Sequence, residues 1–118
     1  MILYSEQFTE QEKVKIAQNR DNIISWIKEN ICEKLGEHDH IFVDFNSKYS
    51  RNDNGIRLHV YANGQIKLEI GRHKDDLENM STIDIMNVMA EWQNIKNSLI
   101  DQVKALQEVR DSIDDFTL

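Results

Sequence analysis

Apolar residues recur at helical spacing in the first third of the chain, at every second position in the middle, and at helical spacing again in the last third. Thr9 and Glu12 form a capping box that opens a helix over 9–35, and Gly36 is placed to stop it. Its main stripe is Val14, Ala17, Ile24, Ile27, Ile31 and Leu35, while Ile16, Ile23 and Trp26 widen that stripe toward a second contact. Three alternating runs then predict strands over 41–46, 56–62 and 65–71. Their apolar members are Ile41, Val43 and Phe45, then Ile56, Leu58 and Val60, then Ile66, Leu68 and Ile70, with polar residues between, so one face of an antiparallel sheet is wet. A two-residue loop at Asn63-Gly64 would mix apolar and polar residues on one face. A three-residue loop of Ala62, Asn63 and left-handed Gly64 instead pairs Val60 with Ile66, Leu58 with Leu68 and Arg57 with Glu69.

Ser81 and Asp84 open a second helix that reads as uninterrupted over 81–113, roughly 50 Å at 1.5 Å per residue. The fold class expected is α+β, in the order α-β-β-β-α: a three-stranded antiparallel meander packed on two long helices. A six-residue strand spans only about 20 Å, so the second helix must extend past the sheet. Its heptad-like seam of Trp92, Lys96, Leu99, Val103, Leu106 and Arg110 predicts a homodimer interface, with the basic seam residues reaching acids on the facing chain. The intramolecular alternative lays the first helix antiparallel along that seam. The first strand, at a sheet edge, is expected to pair with Ile2-Leu3-Tyr4 or with a partner.

Length predicts one domain over 1–118, and no apolar run reaches the roughly 20 residues of a membrane span. The first residues carry no basic leader or small-residue cleavage site, and the single cysteine, Cys32, suits a reducing compartment; the expectation is a cytoplasmic protein. Composition rich in Ile, Asn, Lys and Asp fits a small bacterial or phage protein. The formal charge of −7 is lopsided. Residues 1–74 hold eleven acidic and eleven basic side chains, and 75–118 hold ten and three, so the whole excess lies beyond residue 74. Glu91, Asp101, Glu108 and Asp111 therefore form a candidate surface that steers a basic protein partner and repels nucleic acid.

Candidate chemistry is sparse. His38, Asp39, His40, Asp44 and His73 are metal-compatible types without a metal-site spacing, and the expectation is no metal. Cys32 lacks an activating partner and reads as a small buried hydrophobe. Lys48, Tyr49, Arg51, Arg57, His59, Tyr61, Lys67, Arg72 and Lys74 gather cations and rings on the wet sheet face and in the 47–55 loop, a possible nucleic-acid face. The element order is similar to that of double-stranded RNA binding domains, which implies shape-based minor-groove contacts and a lysine cluster at the start of the second helix. Here that helix begins Ser81-Thr82-Ile83-Asp84 after Asp75-Asp76-Leu77-Glu78, without the cluster, so the resemblance covers topology only. The expectation is a non-enzymatic, cofactor-free protein-interaction module of the inhibitor, adaptor or immunity type. The alternative is a nucleic-acid-binding protein using the sheet face.

Overall fold

A computed structural model describes residues 1–49 and 55–118. Helix α1 spans Glu10–Asn30, followed by strands β1 (His40–Phe45), β2 (Ile56–Tyr61), β3 (Ile66–Ile70) and β4 (His73–Asp76). Helices α2 (Thr82–Ala90) and α3 (Trp92–Asp114) complete the chain. The class is α+β, with an antiparallel sheet in the order β1-β2-β3-β4.

The capping box forms at the start of α1: Thr9 Oγ1 accepts from the Glu12 amide at 3.1 Å, and Glu12 Oε1 accepts from the Thr9 amide at 2.9 Å. The far end differs from expectation. The helix stops at Asn30, and a 3₁₀ turn over Cys32–Lys34 carries the chain to Gly36, which lacks the positive φ of a left-handed cap. The buried face is the expected stripe rotated toward its Ile16 and Ile23 side, with Ile24 and Leu35 packed against the core. Ile16, Ile23, Ile27 and Ile31 enter the core, while Val14 is exposed. Two overlapping apolar arcs share Ile27 and Ile31, and packing selected the one with isoleucine at 16 and 23.

The β2–β3 register is the expected one, with Val60 opposite Ile66, Leu58 opposite Leu68 and Ile56 opposite Ile70. Gly64 takes φ +91, and the loop is closed by the Tyr61 amide donating to Gln65 O at 3.0 Å. The expected three-stranded meander gains a fourth strand. Gly71, at φ +58 with no positive φ at Arg72, makes a two-residue turn of the II′ kind that pairs Ile70 with His73 and Lys67 with Asp76. His73-Lys74-Asp75-Asp76 has no apolar alternation, because a short charged edge strand has nothing to bury.

The expected single C-terminal helix is two. At Glu91 (φ −109°, ψ 11°) the amide turns back to Val88 O at 3.2 Å, and the next helical ladder starts from Glu91 O. The apolar arc passes through this break in phase and neither glycine nor proline marks it, so spacing alone carries no signal there. The bend satisfies two partners: α2 packs on α1, and α3 packs along β1. Ile95, Leu99 and Val103 join Ile41, Val43, Leu58 and Val60 in one core. Helix α3 is about 35 Å long at 1.5 Å per residue, and every residue from Gln107 onward is exposed, giving a molecule of 63 × 27 × 22 Å.

One core position is unsatisfied. Asn87 in α2 is 3% exposed and its Oδ1 accepts no hydrogen bond. Leaving a buried acceptor unpaired costs about 1–3 kcal/mol. Asn87→Leu, with the same number of side-chain heavy atoms and no polar group to leave unpaired, is expected to raise the unfolding free energy by about 1 kcal/mol, read from the urea midpoint.

Candidate functional site

Two surfaces carry the candidate residues. On the outer sheet face, cross-strand register sets His40 beside Tyr61, Phe42 beside His59 and Asp44 beside Arg57. His40 and Tyr61 stack face to face at 4.3 Å between centroids, and the Arg57 guanidinium lies over Phe42 at 4.1 Å. Arg57 also grips Asp44 through two bonds of 2.6 and 2.9 Å, which holds the Asp44 carboxyl below the usual carboxylate range. Arg57 stands opposite Glu69 as the register requires, but Glu69 is taken by His59.

His59 is the centre of this face and is buried although it lies on the wet side, under Phe42, His40 and Tyr61. Its Nε2 is 2.8 Å from Glu69 Oε1 and its Nδ1 is 2.9 Å from His40 Nε2. A carboxylate only accepts, so Nε2 of His59 carries the proton and, in the neutral ring, Nδ1 accepts from His40 Nε2–H. Partial desolvation of the packed ring, then the nearby charges of His59, Lys74 and Arg57, push the His40 pKa down. The bond from His59 holds the Glu69 pKa down. Since protonated His40 is disfavoured in the fold, the unfolded chain binds that proton first. Stability from this group is expected to be intact above about pH 6.5 and to fall as pH drops from there toward the lower folded value. NMR titration checks it: the His40 midpoint should lie below about 6.5.

The remaining cations of this face are dispersed. Lys74 donates to the Tyr61 hydroxyl at 3.2 Å, Lys48 lies over Tyr49, Lys67 is opposite Asp76, and Arg72 is exposed in the β3–β4 turn. Arg51, and with it the centre of the 47–55 loop reading, lies outside the described residues. Spacing placed Asp44, Arg57, His59, Lys67 and Glu69 on one face and paired Arg57 with Glu69, but did not join His40, Phe42 and Asp44 to His59 and Glu69 in one network. The signal was in the β1–β2 register, which no two-residue turn fixes from sequence.

The second surface is α3. Its proposed dimer seam divides into three parts. Trp92 meets Trp26 edge to face at 5.4 Å, and Lys96 lies 5.1 Å over the same Trp26 ring, beside an apolar groove of about 360 Å³ lined by Asn19, Asn22, Ile23, Trp26, Met89 and Trp92. Leu99 and Val103 are buried in the chain's own core. Leu106 is half-buried, and Arg110 reaches back to Asp39, with Nη2 at 2.8 Å from both carboxylate oxygens. That guanidinium, together with the Gly36 amide at 2.6 Å, holds the Asp39 pKa down. The seam is therefore covered mainly by the sheet; α1 meets it at Trp92 and Lys96, through Trp26. Edge strand β1 is partly closed by α3 as well, because Gln102 Nε2 donates to Phe42 O at 2.8 Å. Residues 2–4 form no strand, and the Met1 amine instead donates to Lys48 O.

Of the acidic candidates, Glu91 sits at the helix junction and accepts from Asn94, whereas Asp101, Glu108 and Asp111 are exposed along α3. Cys32 is free and buried, and burial pushes its thiol pKa up. Among the described residues, no cluster of three or more His, Cys, Asp or Glu is placed to hold a metal ion, and no helix is long and apolar enough to cross a membrane. Comparisons with protein-family models, with curated proteins and with solved structures find no significant match.

Proposed function

We propose that this chain is a non-enzymatic protein-binding module that acts in a reducing compartment through the projecting end of α3. The observation that carries the reading is the exposure of Val109 and Ile113 on an acidic helix end that nothing in the described chain covers. Apolar side chains aligned on a rigid helix are what a partner needs for anchorage, and surrounding charge selects among partners. The test is mass measurement by light scattering, in native extract fractions, of tagged chain and of a Val109→Asp, Ile113→Asp variant. A defined complex, identified by mass spectrometry and lost in the folded variant, supports the reading; an identical complex in the variant overturns it.

The second reading, nucleic-acid binding through the sheet face, draws on Lys67, Arg72 and Lys74 around Tyr61. It is the weaker one. The ring faces that bases would stack on are taken by one another and by Arg57, and two of the cations in the network are neutralised or hydrogen-bonded locally. Salt-dependent retardation of RNA or DNA that disappears on Lys67→Ala, Arg72→Ala would promote it.

A further inference from the structure

The outer sheet face holds a line of three titratable groups that partner binding through α3 does not use. Glu69 on β3 accepts from His59 Nε2 at 2.8 Å, and His59 Nδ1 on β2 lies 2.9 Å from His40 Nε2 on β1. The two imidazole planes differ by 20° with centroids 5.1 Å apart, so at that N···N distance the rings meet edge to edge. His59 is buried, whereas His40 is exposed and lies flat against Tyr61 at 4.3 Å. With the proton of His40 on Nε2, its Nδ1 carries the lone pair, and among the described residues that atom makes no hydrogen bond.

A carboxylate, an imidazole and a nucleophile in line is the arrangement that activates a nucleophile: the middle ring takes the proton and the carboxylate steadies the cation that results. Here the third position is an imidazole. A neutral imidazole can attack phosphorus unaided, but the product is a cationic N-phosphoryl ring that returns the group readily. Removing its other ring proton makes that product neutral and persistent. Desolvation, then the charges of His59, Lys74 and Arg57, lower the His40 pKa, which keeps the lone pair available near neutral pH. Arg57 is committed to Asp44, while Lys74 uses one donor on the Tyr61 hydroxyl at 3.2 Å and has others for the oxygens of an incoming group.

We propose that His40 is a phosphoryl-acceptor site, modified at Nδ1 by a small activated phosphate such as a phosphoramidate or an acyl phosphate, with His59 as its base and Glu69 as the positioning carboxylate. The Nδ1 lone pair forms the N–P bond, and the bond from phosphorus to the leaving group breaks, with the electron pair going to that group. The Nε2 proton of His40 passes to His59 Nδ1, and the imidazolium so formed is held by Glu69. The modification sets roughly two negative charges on the outer sheet face. It is independent of the α3 reading.

The test treats the full chain with phosphoramidate near neutral pH and locates the label by mass spectrometry and phosphorus NMR. His38 and His73, both exposed and outside the relay, are controls in the same molecule. His40 should be labelled at Nδ1 roughly tenfold or more faster than either control. Glu69→Gln, whose amide oxygen still accepts from His59, and His59→Gln, whose amide takes up no proton, should each remove that advantage and leave His38 and His73 unchanged. In urea the three histidines should react alike. Labelling of His40 no faster than the controls, labelling at Nε2, or an advantage that survives Glu69→Gln or urea overturns the proposal.

Discussion

Leu99→Ala is expected to lower the unfolding free energy by about 3 kcal/mol, a large part of the about 5–15 kcal/mol a domain holds. Leu99 is fully buried within the core formed by α3 and the apolar sheet face, so the substitution removes both transfer energy and packing and leaves a cavity. Ile113→Asp, about four turns farther along the same helix, is expected to change stability by no more than about 0.5 kcal/mol, because its side chain already stands in water. Urea unfolding of the two variants reads the difference directly. It also decides how the heptad-like seam is used. A neutral Leu99→Ala that split a dimer would mean that the seam faces another chain; a destabilised monomer means that the seam is the wall of the core as far as Val103 and a free surface only beyond it.

The division of that seam shows how far the sequence could be read. Period-two runs and the Asn63-Gly64 loop located β2 and β3 and their register, because a one-residue slip would have turned every apolar side chain to the wet face. The same reasoning was blind to β4, whose four polar residues bury little and are held by backbone pairing after Gly71. It was blind as well to the bend at Glu91, since the apolar arc keeps its phase there and only the tertiary arrangement requires two axes. The heptad-like spacing of α3 was real, but spacing states that a stripe is covered and not by what. Arg110 illustrates the limit. At a seam position it suggested a partner's carboxylate, and the carboxylate turned out to be Asp39, 71 residues earlier in the chain.

The outer sheet face has its own lesson, because a pattern that alternates apolar and polar assigns His59 to solvent, whereas diagonal neighbours from β1 and β3 bury it. Size explains this: Phe42, His40 and Tyr61 on adjacent positions are large enough to roof a ring on a face that charge alone would leave open. The result is a packed layer of rings on the side of the sheet opposite the helices.

His59→Ala is expected to cost about 2–4 kcal/mol, combining loss of a buried ring with loss of the bond to the Glu69 carboxylate. His59→Gln, whose amide can still donate to Glu69, should cost about half as much, since only the His40 bond and part of the packing are lost. The two variants also separate electrostatics from packing. Removing the His59 ring takes away part of the desolvation and one of the charges that depress His40, so in His59→Ala the His40 titration midpoint should move up toward the ordinary imidazole value. With it, the loss of stability assigned to His40 below about pH 6.5 should shrink, because the folded and unfolded values then lie closer together. Two-dimensional NMR of the His40 ring and urea midpoints across that pH range measure both effects. A His40 midpoint that stays low in His59→Ala would assign its depression to Tyr61, Lys74 and Arg57, and would reduce His59 to a packing element with one hydrogen bond to Glu69.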